Sequence, residues 1–260
     1  MDSSFQIISS FPEFKDKPIV IGECDPEGCA ACQGEQFGYR NNSVYASYTA
    51  ACFTRALDLA KHDGVNLEGA LTWAFEFENQ APFAGFRSVA TAGIDLPVLN
   101  VFRMFSKLPD QRIAVESDGA VPLDEIVRRG VRQNPDVSAL AAIGKNRLAV
   151  MVWHYHDDDV AGPDAQVAMT LDGLPQNISK ARLQHFRIDT DHSNAFTVWK
   201  KMGSPLNPTA EQFAQLEKAG QLAELETPKT VTVEKGAVQV HMDLPRQAVS
   251  LLVFDYDAKL

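Results

Sequence analysis

The chain is short of the features that mark several functional classes. Four cysteines in 260 residues are too few for a disulfide-stapled fold. All four precede residue 53, so any bridge would staple one corner, and the compartment stays undecided. No lysine- or arginine-rich cluster occurs and the formal net charge is −10. That sets aside nucleic acid as a partner, because affinity for a phosphate backbone is built from clustered cations. No apolar stretch approaches the roughly 20 residues of a membrane-crossing helix, so no membrane partner is expected. The opening MDSSFQIISS has no charged segment leading into a long apolar core and does not read as a signal peptide. Internal repeats and low-complexity tracts are missing too, and the one basic spot, IVRRG at 126–130, reads as a solvated face.

What is present is an ordinary globular composition, 45% apolar and 22% charged, with length enough for one large domain or two modest ones. Up to about residue 110 the rhythm is strand, helix, strand, helix. PIVIGE (18–23) is a β-branched run that suits a strand buried on both faces. Residues 43–62 place Tyr45, Tyr48, Cys52, Ala56 and Leu59 at helical spacing, and HDG ends the run. GALTWAFEF (69–77) reads as a second buried strand. A second helix follows Asp95 as its cap, with Val98, Val101, Phe102, Phe105 and Leu108 as its apolar stripe. Repeated β-α units imply a parallel sheet covered by helices, yet two of them cannot close a barrel.

From about 111 to 260 the pattern becomes that of an antiparallel β-sandwich. Strands are expected at 148–156, 166–171, 181–188, 229–244 and 248–256, with EKGA as a hairpin turn inside the fourth. One helix interrupts them near 207–220, with Asn207 as cap, Pro208 at the first position and Gly220 at the end.

The chemistry-bearing residues lie at strand exits. ECDPEGCAAC (23–32) spaces Cys24, Cys29 and Cys32 as C-x4-C-x2-C, a pattern that iron–sulfur proteins use. Cys52 falls on the apolar stripe of a helix and reads as core, so a fourth ligand is missing; metal binding or a local disulfide by the other three stays open. Glu23, before the first cysteine, ends a buried strand, where α/β folds place ligands and catalytic groups. The competing reading is a solvated glutamate. Trp73, followed by Glu76 and Glu78, suits a sugar, whose apolar face stacks on an indole while its hydroxyls bond to carboxylates. Equally, Trp73 could be core and the glutamates rim charges.

Taken together, KPIVIGECDPEGCAAC, GALTWAFEFENQAPFAGF, DLPVLNVFRMFSKL, HFRIDTDHSNAFTVWKKMGSP and LPRQAVSLLVFDY resemble glycoside hydrolase family 39, the family of β-xylosidases and α-L-iduronidases. The resemblance covers the chain from about residue 11 and corresponds to the later half of a member. It implies the last two β/α units of a (β/α)8 TIM barrel (1–110), then a β-sandwich with a small helical insertion (111–260). FQIISSFPEF would be a remnant of the helix before barrel strand seven. It implies retaining hydrolysis of β-xylosides, with Glu23 as nucleophile, Trp73 as the floor of the sugar site, and Glu78, less directly Glu76, holding substrate hydroxyls. The acid/base glutamate of the family has no counterpart here, so the chain is expected to be an incomplete, inactive piece. Xylo-oligosaccharide or another glycoside is the expected partner, cofactors and metals are not expected, and a homo-oligomer is permitted. An α-L-iduronidase or other β-glycosidase specificity, or a non-catalytic carbohydrate-binding sandwich, are the alternatives.

Two further signals are set aside. WHYHDDD (153–159) puts His154 and His156 on one strand face before three aspartates, and reads as a strand with an acidic exit loop rather than a metal site. Asn41 and Asn177 stand in N-x-S sequons, which matter only in a secretory eukaryotic setting.

Overall fold

The computed structural model describes residues 1–257. In chain order its first elements are α1 (Asp2–Ser9), β1 (Pro18–Ile21), α2 (Ser43–Asp63) and β2 (Asn66–Ala70). A one-sided apolar repeat and two clean ends make α2 the longest helix. The Asn42 side chain accepts from the Val44 N–H at 2.8 Å, and Gly64 leaves the helix at φ 67°, a conformation that glycine adopts without strain. β1 and β2 are joined through α2 and pair in parallel, Pro18 opposite Asn66 and Ile21 opposite Ala70, as a helical crossover requires. Ile19 and Leu67 pack with Phe5 of α1 and with Leu59 and Ala60 of α2.

A short antiparallel pair, β3 (Ala90–Thr91) and β4 (Ile94–Asp95), leads into α3 (Pro97–Phe105). Then follow β5 (Gln111–Ile113), α4 (Leu123–Arg129), β6 (Asp136–Ile143), β7 (Arg147–Tyr155), β8 (Ala165–Leu171) and β9 (Lys180–Ile188). The last stretch holds α5 (Ala195–Lys201), α6 (Ala210–Gly220), β10 (Ala223–Glu224), β11 (Lys229–Thr232), β12 (Val238–Leu244) and β13 (Val249–Asp255).

The large sheet runs β10-β9-β13-β7-β6-β5, with β11 also on β9, and every pairing in it is antiparallel. β13 sits between β7 and β9, and its run VSLLVF, apolar but for Ser250, is buried throughout because helices pack on one face and β8 and β12 on the other. On one face Met151, Trp153, Ile188 and Leu251 meet Ala46 and Ala50 of α2 and Val101 and Met104 of α3. On the other, Val150, Val152, Leu252 and Phe254 meet Val167 and Met169 of β8 and Val240 and Met242 of β12. β8 and β12 form a separate two-stranded antiparallel sheet. The architecture is therefore mixed helix and sheet with antiparallel sheets, and the described residues close no barrel. None of their helices is long and apolar enough to cross a membrane.

Several local expectations are corrected. The second strand is Asn66–Ala70, not 69–77; beyond Ala70 the chain leaves regular pairing, with only a bridge from Ala74 to Ser88. Leu96, not Asp95, is the N-cap residue of α3, with Pro97 starting the helix, and Asp95 pairs instead with Arg103 at 2.7 Å. The cap of α6 is Thr209, in a reciprocal capping box with Gln212, rather than Asn207. EKGA does turn, through the Glu234–Ala237 bridge, but the strands flanking it separate, β11 to β9 and β12 to β8. β6, not expected from the sequence, adds a long strand between β7 and the edge strand β5.

Candidate active site

The parallel ladder carries on past the ends of its strands. Leu71 N–H donates to Ile21 O at 2.9 Å and Cys24 N–H to Leu71 O at 2.8 Å. Glu23 and the segment from Thr72 to Trp73 thus leave neighbouring strands at the same, carboxyl-terminal end. Glu23 is half exposed, its side chain 50% accessible, and its carboxylate is paired with Arg87, whose side chain is only 3% accessible. Trp73 is 48% exposed, and its ring centre lies 5.8 Å from the Arg87 guanidinium carbon, within cation–π range.

Arg87 organises this end of the molecule. Its Nη1 donates to Glu27 O at 2.6 Å and its backbone N–H to Ala30 O at 3.1 Å. Its Nε stands 3.3 Å from Asp25 Oδ2, a buried carboxylate oxygen with no hydrogen bond. The other oxygen of Asp25 accepts from the Tyr45 phenol and from Thr72 Oγ1, the latter at 2.9 Å. Burial, then the Asp25 charge, push the Tyr45 phenol well above its ordinary range, so it stays a donor. A chain of contacts therefore runs Tyr45–Asp25–Arg87–Glu23 from the helix core to the solvent-facing carboxylate.

A second buried cation, Arg40, ties down the loop after Glu23. It donates to Cys29 O and to Glu27 Oε1 at 2.9 Å each, to Cys32 O at 3.2 Å and to Gly85 O at 3.1 Å. Tyr39 also donates to Glu27; burial and that carboxylate push its phenol up to about 12. Gly85 has φ 90°, and a Cβ there would come within 3.1 Å of Gly34 O and Phe37 O. Only glycine lets the two loops touch.

The cysteines divide into two pairs. Cys29 and Cys32 are disulfide-bonded. Cys24 and Cys52 are free thiols with sulfurs 3.5 Å apart, so Cys52 is a neighbour of the loop cysteines and not merely core. The hydrogen bond that Cys24 shares with Cys52, as donor, and burial push the Cys24 thiol up. Among the described residues no group of three or more histidine, cysteine or acidic side chains is gathered as metal ligands.

Of the residues singled out from sequence, the structure brings Glu23 and Trp73 together through Arg87. Glu76 is turned to the β3–β4 turn, where it accepts from the Gly93 N–H at 2.8 Å. Glu78 is exposed, with no contact joining it to Glu23. His154 and His156 bond to the carbonyls of Leu244 and Arg132 at 2.9 and 3.1 Å, and the buried Asn41 donates to Phe83 O at 2.9 Å. Arg87, Asp25 and Arg40 were not anticipated. The one sequence signal for Arg87 is a lone cation in the apolar run FAGFRSVA.

The family model of glycosyl hydrolases family 39 matches residues 2–239. The chain belongs to that family. Among curated proteins, the family 39 chain is 25% identical over 272 residues to an α-L-iduronidase of Mus musculus, covering 95% of itself and 40% of that protein. It is 26% identical over 243 residues to that of Homo sapiens, covering 82% of itself and 35% of the relative. In fold it is similar to a bacterial orthologue of human α-L-iduronidase, with TM-score 0.80 at 17% identity, over 100% of this chain and 46% of the other. It is also similar to a monomeric β-xylosidase from Caulobacter crescentus CB15, with TM-score 0.74 at 17% identity, over 99% and 49%. The family 39 chain thus spans less than half the length of these relatives.

Proposed function

We propose that this chain carries the nucleophile and part of the sugar site of a retaining β-xylosidase. The carrying observation is Glu23: a half-exposed carboxylate at the carboxyl end of a parallel strand, gripped by a buried arginine and next to an exposed indole. An ionised Glu23 attacks the anomeric carbon, the aglycone oxygen departs with a proton from a second carboxyl group about 5 Å away, and water then releases the sugar. Arg87 orients Glu23. Trp73 offers an apolar face for the pyranose, with Glu78 as a hydroxyl partner at its rim; Glu76, expected to share that role, is engaged with the Gly93 N–H instead.

In this reading β1 and β2 with α2 and α3 are the last two units of a (β/α)8 barrel, and the sheets after residue 110 form the accessory sandwich. In the same reading the proton donor is not among the residues of these two units, and the 260-residue chain alone does not turn over unactivated xylosides. An α-L-iduronidase specificity is the second reading, favoured by the two curated relatives. Against it, an iduronide brings its own carboxylate to a mouth already holding Glu23, Asp25 and Glu27, on a chain of net charge −10. Both local arginines are paired with those acids. A neutral pentose avoids that repulsion.

The test uses a 2,4-dinitrophenyl 2-deoxy-2-fluoro-β-xyloside. Its leaving group departs without protonation, so labelling needs the nucleophile alone. Mass spectrometry should find the fluoroxylosyl group on Glu23, and none on Glu23→Gln. Label elsewhere, or label that survives the substitution, overturns the assignment. Faster labelling by the corresponding α-L-iduronide selects the second reading.

A further inference from the structure

The Cys29–Cys32 disulfide has no part in the chemistry above, yet it lies in the loop that both buried arginines hold. We propose that this pair is a thiol–disulfide exchange site for dithiol reductants, and that its state sets how firmly Arg87 is held behind Glu23. Three observations carry this. Cys29 is exposed while Cys32 is half-buried, so an incoming thiolate meets Cys29 first. The backbone carbonyls of both cysteines accept from the buried Arg40 guanidinium, at 2.9 and 3.2 Å, so the main chain of the pair is anchored while Cys29 faces solvent. Between the two cysteines, Ala30 O accepts the Arg87 N–H, and just before them Glu27 O accepts Arg87 Nη1.

The exchange balances within the pair and one dithiol. A reductant thiolate attacks Cys29 Sγ, the Cys29–Cys32 bond breaks, and Cys32 leaves as a thiolate that takes a proton from water. The second reductant thiolate then attacks its own sulfur in the mixed disulfide, closing the oxidised reductant and releasing Cys29, which is protonated in turn. Two electrons pass from the dithiol to the protein. Cys24 stays out of it, being buried with its sulfur on Cys52. With the ring open, Ala30 O, the acceptor of the Arg87 N–H that lies inside it, is no longer fixed covalently. The exchange itself does not depend on the glycosidase reading; only its consequence at Glu23 does.

The experiment is a native-state dithiothreitol pulse on the full chain, followed by maleimide counting and hydrogen exchange. Two maleimides beyond those taken up by the unreduced protein should appear, on Cys29 and Cys32. The Arg87 amide should exchange roughly tenfold faster while β7 and β13 keep their protection. Unreduced Cys29→Ser/Cys32→Ser should show the same fast amide, and glutathione disulfide should restore the slow one in the wild type. Resistance of the pair to native reduction overturns the exchange site. An unchanged Arg87 amide in fully reduced protein overturns the coupling, and loss of protection in β13 as well makes the disulfide a general staple instead. None of these readouts uses glycoside hydrolysis, so they stand or fall apart from the function proposed above.

Discussion

Replacing Arg87 by methionine isolates the energetics of the arginine behind Glu23. The guanidinium is 3% accessible and lies against Asp25, itself 1% accessible. Methionine keeps most of the volume and the apolar contacts but leaves the Asp25 charge buried without its cation. Breaking a buried ion pair from one side costs about 3–5 kcal/mol. Two donors remain on Asp25, from Tyr45 and Thr72, which sets the expectation at the lower end, about 3 kcal/mol. The half-exposed Glu23 adds less than about 1 kcal/mol, as solvent takes over its charge. For a chain of this size, that lowers Tm by roughly 6–12 °C. Urea denaturation followed by circular dichroism gives the direct value. Arg87→Met/Asp25→Asn removes the stranded charge and should recover at least about 2 kcal/mol relative to the sum of the single changes. A single-variant loss below about 1 kcal/mol, or additivity within about 0.5 kcal/mol, would refute the buried-pair account.

Three further outcomes are expected. His185, packed against Ser250 and Arg187 in the large sheet, is lowered by burial, then by the Arg187 charge, to about 4 from an ordinary 6.5. Its contribution is full above pH 6.5 and drains away as pH falls toward 4, by at most about 3 kcal/mol; His185→Gln should flatten that limb of a stability–pH curve. Gly85→Ala forces a left-handed alanine against Phe37 and Gly34, and should cost about 1–3 kcal/mol, with faster proteolysis in the loop after Gly34. Trp73→Ala removes a side chain 48% exposed, so Tm should move little. Xylobiose affinity by calorimetry should fall roughly three- to tenfold, as expected for one lost stacking face.

The parts of the fold legible in the sequence are those where local pattern and final environment agree. β7 and β13 are apolar runs because they end up covered, and α2 announces itself by its stripe and by Gly64; β1, expected to be buried on both faces, is covered only on the Ile19–Ile21 side, with Val20 56% exposed. The strand expected at 69–77 failed because LTWAFEF has strand composition without strand neighbours: Leu71, Trp73 and Phe75 remain exposed. The hairpin at EKGA failed for a different reason. Its turn is local, but partners for β11 and β12 are strands 46–79 residues earlier. Within the site, Glu23 and Trp73 could be read from strand exits. Arg87 could not, since the carboxylates that make it matter, Glu23 and Asp25, lie more than 60 residues away. The Cys24–Cys52 contact was hidden likewise, because an apolar helix stripe and the end of a strand carry no mark of meeting.

The three tryptophans of the chain stand in three different settings. Trp153 is fully enclosed, with its indole N–H on Asp136, Trp199 is 8% accessible, and Trp73 stands half in water. Iodide or acrylamide in the surrounding solution therefore quenches one emitter and spares two. That one lies beside the carboxylate proposed as nucleophile. The protein thus carries its own optical reporter of occupancy at Glu23, readable without a dye, a label or a reaction.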